Sequence, residues 1–119
     1  RHIRPRGSDF TIGEELVQAG VVLTPRALVA AAGADIAEVD VRRRPAVAVL
    51  ATGDELAAPG EASNRMGAIP ESVSYGVAAL AEQWGGRMLG TRRLGDDLNL
   101  MTNAAGDALA RADLVVVPG

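Results

Sequence analysis

The sequence has no cysteine and no lysine, a single histidine (His2), and aromatic residues at only 3%. Without cysteine there is no disulfide, no thiolate metal site and no cysteine nucleophile. One histidine leaves a histidine-rich zinc centre and a Ser-His-Asp triad short of their parts. The absence of lysine excludes a P-loop, and no glycine-rich dinucleotide fingerprint occurs. With so few aromatics, a core must be built from Ala, Val, Leu and Ile. No apolar run approaches the roughly 20 residues of a membrane span, and the start carries no signal-peptide pattern. A net charge of −3 offers no general attraction to nucleic acid or an anionic membrane. Any chemistry must therefore rest on carboxylates, arginines, hydroxyls and backbone amides. The lack of cysteine fits a cytoplasmic protein.

What is present is ordinary for a globular protein: 119 residues, 48% hydrophobic and 23% charged. That length suits one modest domain or parts of two. The first residue is not Met and Gly119 directly follows an apolar run, so both ends are expected to be cuts in a longer polypeptide.

Residues 10–23 alternate short apolar pairs with Gly13 and Gly20, which predicts short strands and turns. Thr24-Pro25 is a helix start, with Thr24 as cap and Pro25 at the first helical position, and Gly33 is placed to stop that helix. Residues 37–41 alternate acidic and apolar and read as a strand, after which Arg42-Arg43-Arg44-Pro45 breaks the pattern as a solvated linker. We place the boundary between a mixed strand/helix region, 1–43, and a second region, 44–119.

From Ala46 the texture changes. Residues 46–51 form a continuous apolar run, the mark of a central strand covered on both faces. A loop from Thr52 to Glu71 follows. Val73, Val77, Leu80, Ala81 and Trp84 recur at helical spacing, with Ser72 as cap, Gly85-Gly86 as stop, and Trp84 in the core. A strand over 87–94, a helix capped by Asp97 with Leu98, Met101, Ala105 and Leu109 on one face, and a strand over 114–117 complete a βαβαβ pattern. The expectation is an α/β fold with a parallel sheet and helices packed on it.

In such sheets, ligands bind beyond the carboxyl ends of the strands. Thr52-Gly53-Asp54-Glu55 follows the first strand and Gly95-Asp96-Asp97 the second, so two acidic clusters converge on one edge. Asp113 precedes a strand and belongs on the opposite edge, in solvent. Carboxylates facing a cleft suit Mg²⁺, which prefers oxygen ligands shared with phosphates. The same residues also serve as turn and helix caps, as Asp97 is expected to. The loop to Glu71, at about twenty residues, is longer than connections without a function usually are. Ser72 stands at a helix amino terminus, where N–H groups favour an anion, or simply caps it.

Residues 44–56, from Arg44-Pro45 through Thr52-Gly53-Asp54-Glu55-Leu56, followed by Pro59-Gly60, resemble the hallmark of the MoeA/gephyrin family of molybdopterin molybdenumtransferases. The resemblance continues at Gly67-Ala68-Ile69 and Gly95-Asp96-Asp97, and upstream at residues 3–10 and Leu23-Thr24-Pro25. It implies that residues 1–43 end the family's amino-terminal region. Residues 44–119 would begin an incomplete three-layer α/β/α MogA-like domain that binds molybdopterin.

The implied activity is Mg²⁺-dependent insertion of molybdate into adenylylated molybdopterin with release of AMP, by a homodimer. Carried over by position, Glu55 and Asp96 are the acidic, metal-holding active-site residues. Thr52, Gly53, Asp54 and Ser72 contact the pterin ligand, and Asp9 matches an acidic residue of the upstream motif. The chain departs from the family at Glu71-Ser72-Val73, where Asp-Ser-Asn is usual, and Ser8 stands where a glutamate is usual. The family's Gly-Gly-x-Ser-x-Gly loop would lie beyond Gly119, so this stretch alone is expected to be inactive. Competing readings are a Mog/MoaB-type molybdopterin adenylyltransferase, a CinA-type nucleotide-processing domain, and a non-catalytic pterin-binding or scaffold relative.

Overall fold

A computed structural model describes residues 3–118, so His2 and Gly119 lie outside the described residues. By compactness the chain divides into two units, Arg1–Arg42 and Arg43–Gly119.

In the first unit the regular element is α1, Pro25–Gly33. Thr24 caps it as expected, its hydroxyl oxygen accepting the Ala27 N–H at 3.3 Å. The far end differs from expectation. Gly33 is helical, and Asp35 takes the left-handed conformation, φ 62°. The N–H of Asp35 donates to the Ala32 carbonyl and that of Ile36 to the Ala31 carbonyl, each at 3.1 Å. This is the Schellman pattern, and a short polar side chain tolerates the left-handed site usually held by glycine.

The strands expected over 10–23 and 37–41 do not form among the described residues. Ile12, Val22, Val39 and Val41 are all exposed. A strand must give its backbone N–H and C=O groups a ladder partner, and alternation of side chains does not supply one.

The second unit runs β1 (Ala46–Thr52), β2 (Leu56–Ala57), a 3₁₀ turn (Ala62–Asn64), β3 (Ile69–Pro70), α2 (Val73–Gln83), β4 (Arg87–Leu94), α3 (Leu98–Leu109) and β5 (Leu114–Val116). The main sheet has order β4-β1-β5, all parallel. Central β1 is buried from Ala46 to Ala51, as its unbroken apolar run requires. The β1-to-β4 crossover moves one way across the sheet and the β4-to-β5 crossover returns past β1. Two right-handed crossovers in opposite directions put α2 and α3 on opposite faces. The expected α/β class with a parallel sheet is therefore the observed one.

The helices meet the sheet through small residues. On α3, Ala104 and Ala108 pack against Ala48, Leu50 and Leu94, with Met101 and Ala105 beside them. Leu98 and Leu109, expected on the same face, are exposed. On α2, Ser74 is buried and Val77, Ala78 and Ala81 are half-buried, whereas Val73 and Leu80 are exposed. Trp84, expected in the core, is the C-cap residue and is 80% exposed. Both stripes of α2 have helical spacing, and the smaller one lets the helix axis lie close to the sheet. Gly86 shows how close: a Cβ there would sit 2.8 Å from the Ala81 carbonyl oxygen and 3.2 Å from the Val47 side chain.

The expected loop 52–71 carries structure of its own, since β2 and β3 pair in parallel, Leu56 with Ile69 and Ala57 with Pro70. Among the described residues, no helix is long and apolar enough to cross a membrane.

Candidate functional site

The chain leaves β1 toward the α2 face and leaves β4 toward the α3 face, so the two loops diverge and open a crevice at the carboxyl edge. Hydrogen bonds tie the crevice across its floor. The Gly53 N–H donates to the Leu94 carbonyl at 3.1 Å. The Asp54 N–H donates to Asp96 Oδ2 at 3.3 Å, and the Asp96 N–H donates to Asp54 Oδ1 at 3.1 Å. Each carboxylate thus accepts the other residue's backbone N–H and keeps its second oxygen free of any protein donor recorded among the described residues.

Two glycines make this approach possible. A Cβ on Gly95 would lie 2.5 Å from Asp54 Oδ1. Gly53 has φ 146°, a region that side chains avoid, and a Cβ there would lie 2.8 Å from both Glu55 carboxylate oxygens. The Glu55 side chain therefore folds back over Gly53.

The long connection is fastened to the same place. The Ile69 N–H donates to the Glu55 carbonyl at 2.9 Å and the Glu71 N–H to the Ala57 carbonyl at 2.8 Å. The Arg65 guanidinium donates to the Asp54 carbonyl. Between the connection and the sheet edge lies a pocket of about 440 Å³ whose lining includes Gly53, Asp54, Glu61, Arg65, Arg93 and Gly95.

No family model matches the chain. It is 34% identical over all 119 residues to molybdopterin molybdenumtransferase 2 of Mycobacterium tuberculosis, and spans 29% of that protein's length. It is 31% identical over 118 residues to the molybdopterin molybdenumtransferase of Staphylococcus aureus, spanning 28% of it. The crystal structure of the molybdopterin biosynthesis moeA protein from Pyrococcus horikoshii OT3 superposes on 95% of the chain with a TM-score of 0.82 and 28% identity, the match covering 30% of that structure. Over its whole length the chain is similar to one segment of proteins named molybdopterin molybdenumtransferase, and it spans less than a third of their length.

Against the positions that the molybdenumtransferase resemblance carries over, the structure brings some together and not others. Gly53 and Asp54 line the pocket, and Asp96 is bonded to Asp54. Thr52 is the half-buried last residue of β1, paired with Leu94 of β4. Glu55 is in contact range of Gly53 but is not a lining residue. Ser72 precedes α2, is exposed, and makes no side-chain cap. Asp9 lies in the first unit, in an exposed ion pair with Arg4 at 2.7 Å.

The expected cap Ser72 is replaced by Glu71. Glu71 is only 6% exposed, its Oε1 accepts the Ser74 N–H at 2.8 Å, and its Oε2 accepts the Ser74 hydroxyl. Burial opposes ionisation of this carboxyl. The Ser74 hydroxyl, the Ser74 and Val73 N–H groups and the charge of Arg93 outweigh it and hold the group below its usual range. A glutamate one residue earlier reaches the first-turn N–H groups that a serine hydroxyl at 72 does not.

Asp97 caps α3 as expected, accepting the Leu100 N–H at 2.9 Å. Asp113 stands at the opposite, amino edge as expected but is engaged rather than free. It takes a two-pronged bond from Arg43, whose side chain remains exposed, and accepts the Ala46 N–H at 2.7 Å. The bond from Arg43, then that from Ala46, holds the Asp113 carboxyl below its usual range.

Sequence reasoning missed Arg65, Arg93 and Glu61 in the pocket and Glu71 as cap. Arg93 carried a usable signal, being next to the last residue of a strand at the edge where ligands bind. Among the described residues, no group of three or more His, Cys, Asp or Glu side chains converges as a ready-made metal cage. Asp96, bonded to Asp54, and Glu55, folded over Gly53, each carry hard carboxylate oxygens, the donor chemistry Mg²⁺ takes when phosphates and water complete its shell.

Proposed function

We propose that the chain forms part of the active site of a molybdopterin molybdenumtransferase, which inserts molybdate into adenylylated molybdopterin and releases AMP. The observation that carries this reading is the reciprocal bonding of Asp54 and Asp96 across the β1 and β4 loops, beside the pocket at the carboxyl edge. Glu55 and Asp96 would hold Mg²⁺, whose chemistry is to neutralise phosphate charge and orient the phosphoryl group. Asp54 fixes the distance between the two loops through its bonds to Asp96 and, by its carbonyl, to Arg65. Gly53 brings backbone to the ligand and Thr52 ends the strand that supports it. Ser72, unbonded at the head of α2, is free to donate its hydroxyl to the pterin ligand.

On this reading, residues 1–43 belong to an amino-terminal region and 44–119 to the pterin-binding domain of a cytoplasmic homodimer. A non-catalytic, pterin-binding relative is the second reading. It is favoured by Val73, an exposed apolar side chain where the family places asparagine.

The test is molybdate-dependent AMP release by the full-length protein with Mg²⁺, beside Glu55→Ala. Release by the parent and its loss in the variant support the transferase. Binding of adenylylated molybdopterin without AMP release from folded protein would replace it with the second reading.

A further inference from the structure

The pocket lining includes two arginines, Arg65 and Arg93. Among the described residues the ion pairs are Arg4–Asp9 and Arg43–Asp113, so Arg65 and Arg93 have no carboxylate within ion-pair distance. Arg65 spends one guanidinium nitrogen on the Asp54 carbonyl, which orients the group and leaves its other N–H donors available. Arg93 lines the same pocket from the end of β4 and lowers the Glu71 pKa through its charge.

In a strand–loop–helix crevice the usual seat for an oxyanion is the helix amino terminus. Here the first-turn N–H groups of α2 are already taken by the Glu71 carboxylate, whose negative charge repels a second anion. The charged lining of the pocket is then Arg65 and Arg93 beside Asp54 and Glu61, and of these only the two guanidinium groups can bind an oxyanion. Their planar forks match the oxygens of a tetrahedral anion two at a time.

We propose that Arg65 and Arg93 form a tetrahedral-oxyanion subsite in the pocket between the 52–71 connection and the carboxyl edge of the sheet. The anion is either a phosphoryl group of the substrate or molybdate. The subsite rests on the transferase reading only for the identity of its ligand.

The experiment is isothermal titration calorimetry of the full-length protein with inorganic pyrophosphate and, separately, with molybdate. Arg65→Ala, Arg65→Lys, Arg93→Ala and the control Arg111→Ala are compared, each with its melting curve. Loss of charged hydrogen bonds predicts about 10- to 100-fold weaker binding in the two alanine variants at Arg65 and Arg93. Arg65→Lys, which keeps the charge and loses the fork, should fall between them and the parent, and Arg111→Ala should bind as the parent does.

Weakening confined to pyrophosphate assigns the subsite to the substrate's phosphoryl group, weakening confined to molybdate assigns it to the metal oxyanion, and weakening of both supports a shared subsite. Unchanged affinity for both anions in Arg65→Ala and Arg93→Ala, or an equal loss in Arg111→Ala, overturns the proposal. AMP release separates the two ideas. Anion binding that depends on Arg65 in a protein that releases no AMP keeps the subsite and discards the transferase, and the converse discards the subsite alone.

Discussion

The two edges of the central sheet use the same residue type to opposite ends. At the amino edge, Asp113 has a guanidinium partner and also accepts the N–H of Ala46, the first residue of the buried strand. At the carboxyl edge, among the described residues, Asp54 and Asp96 accept only each other's backbone N–H, while Arg65 and Arg93 have no carboxylate within ion-pair distance. An aspartate with its own counter-ion is a structural clasp. Carboxylates and cations that share a pocket without forming ion pairs are, on the proposed reading, available to a ligand. The difference teaches that pairing separates structural from ligand-facing acids better than position in the strand does.

The sharpest way to break this comparison is Asp96→Asn, which keeps an acceptor for the Asp54 N–H and removes the charge. AMP release should fall by about 100-fold or more, as for loss of one preorganised electrostatic contact, while the melting temperature hardly moves. An unchanged rate would make Asp96 a clasp like Asp113. Next in size is Gly95→Ala. Its Cβ must displace Asp54 Oδ1 and so break the bond to the Asp96 N–H. Loss of one neutral-to-charged hydrogen bond predicts a fall of about 10-fold in turnover, read as kcat with the far-ultraviolet circular dichroism unchanged.

At the other edge, Asp113→Ala should lower the denaturation midpoint and leave kcat unchanged, because it strands the Ala46 N–H far from the crevice. A lowered kcat at full occupancy of folded protein would erase the contrast between the edges.

The smallest effect sharpens the comparison through pH. The Glu71 carboxyl is held below its usual range in the folded chain. The folded state therefore binds its proton less readily than the unfolded state, whose glutamate titrates near a pKa of about 4.3. Its contribution to stability is complete above that value and is lost as pH falls through the lower folded one. Glu71→Gln should remove that part of the acid limb of a stability–pH curve and leave neutral-pH turnover close to the parent's. An identical acid limb in the variant would show that the Ser74 bonds do not persist in solution.

Much of the second unit was legible beforehand. The run 46–51 is apolar at every position, and only a strand covered on both faces uses such a run. Asp97 and Thr24 carry side chains that cap wherever a helix begins. The convergence of Gly53-Asp54 with Gly95-Asp96 followed from the parallel topology alone. The face of α2 was only partly legible: Val77 and Ala81 of the expected stripe are half-buried, but Val73, Leu80 and Trp84, which share the helical spacing, are exposed, and Ser74 is buried instead. Glu71 was not legible, since a glutamate can reach a first-turn N–H only when its backbone enters the helix at the right angle, which the bond to Ala57 sets. The alternation over 37–41 misled for a related reason, having no ladder to join.

By itself, then, the sequence determined the order of the main-sheet strands and their helices in the second unit, the burial of β1 and the edge on which the acidic loops meet. Those properties depend on local composition and on the handedness of the crossovers, which every L-polypeptide shares. Only the tertiary structure decided which stripe of α2 faces the sheet, that Glu71 and not Ser72 closes that helix, and that Arg65 and Arg93 line one pocket. Each of those rests on distances between residues far apart in the chain, and a distance of a few ångströms decides whether a charge is neutralised or left for a ligand.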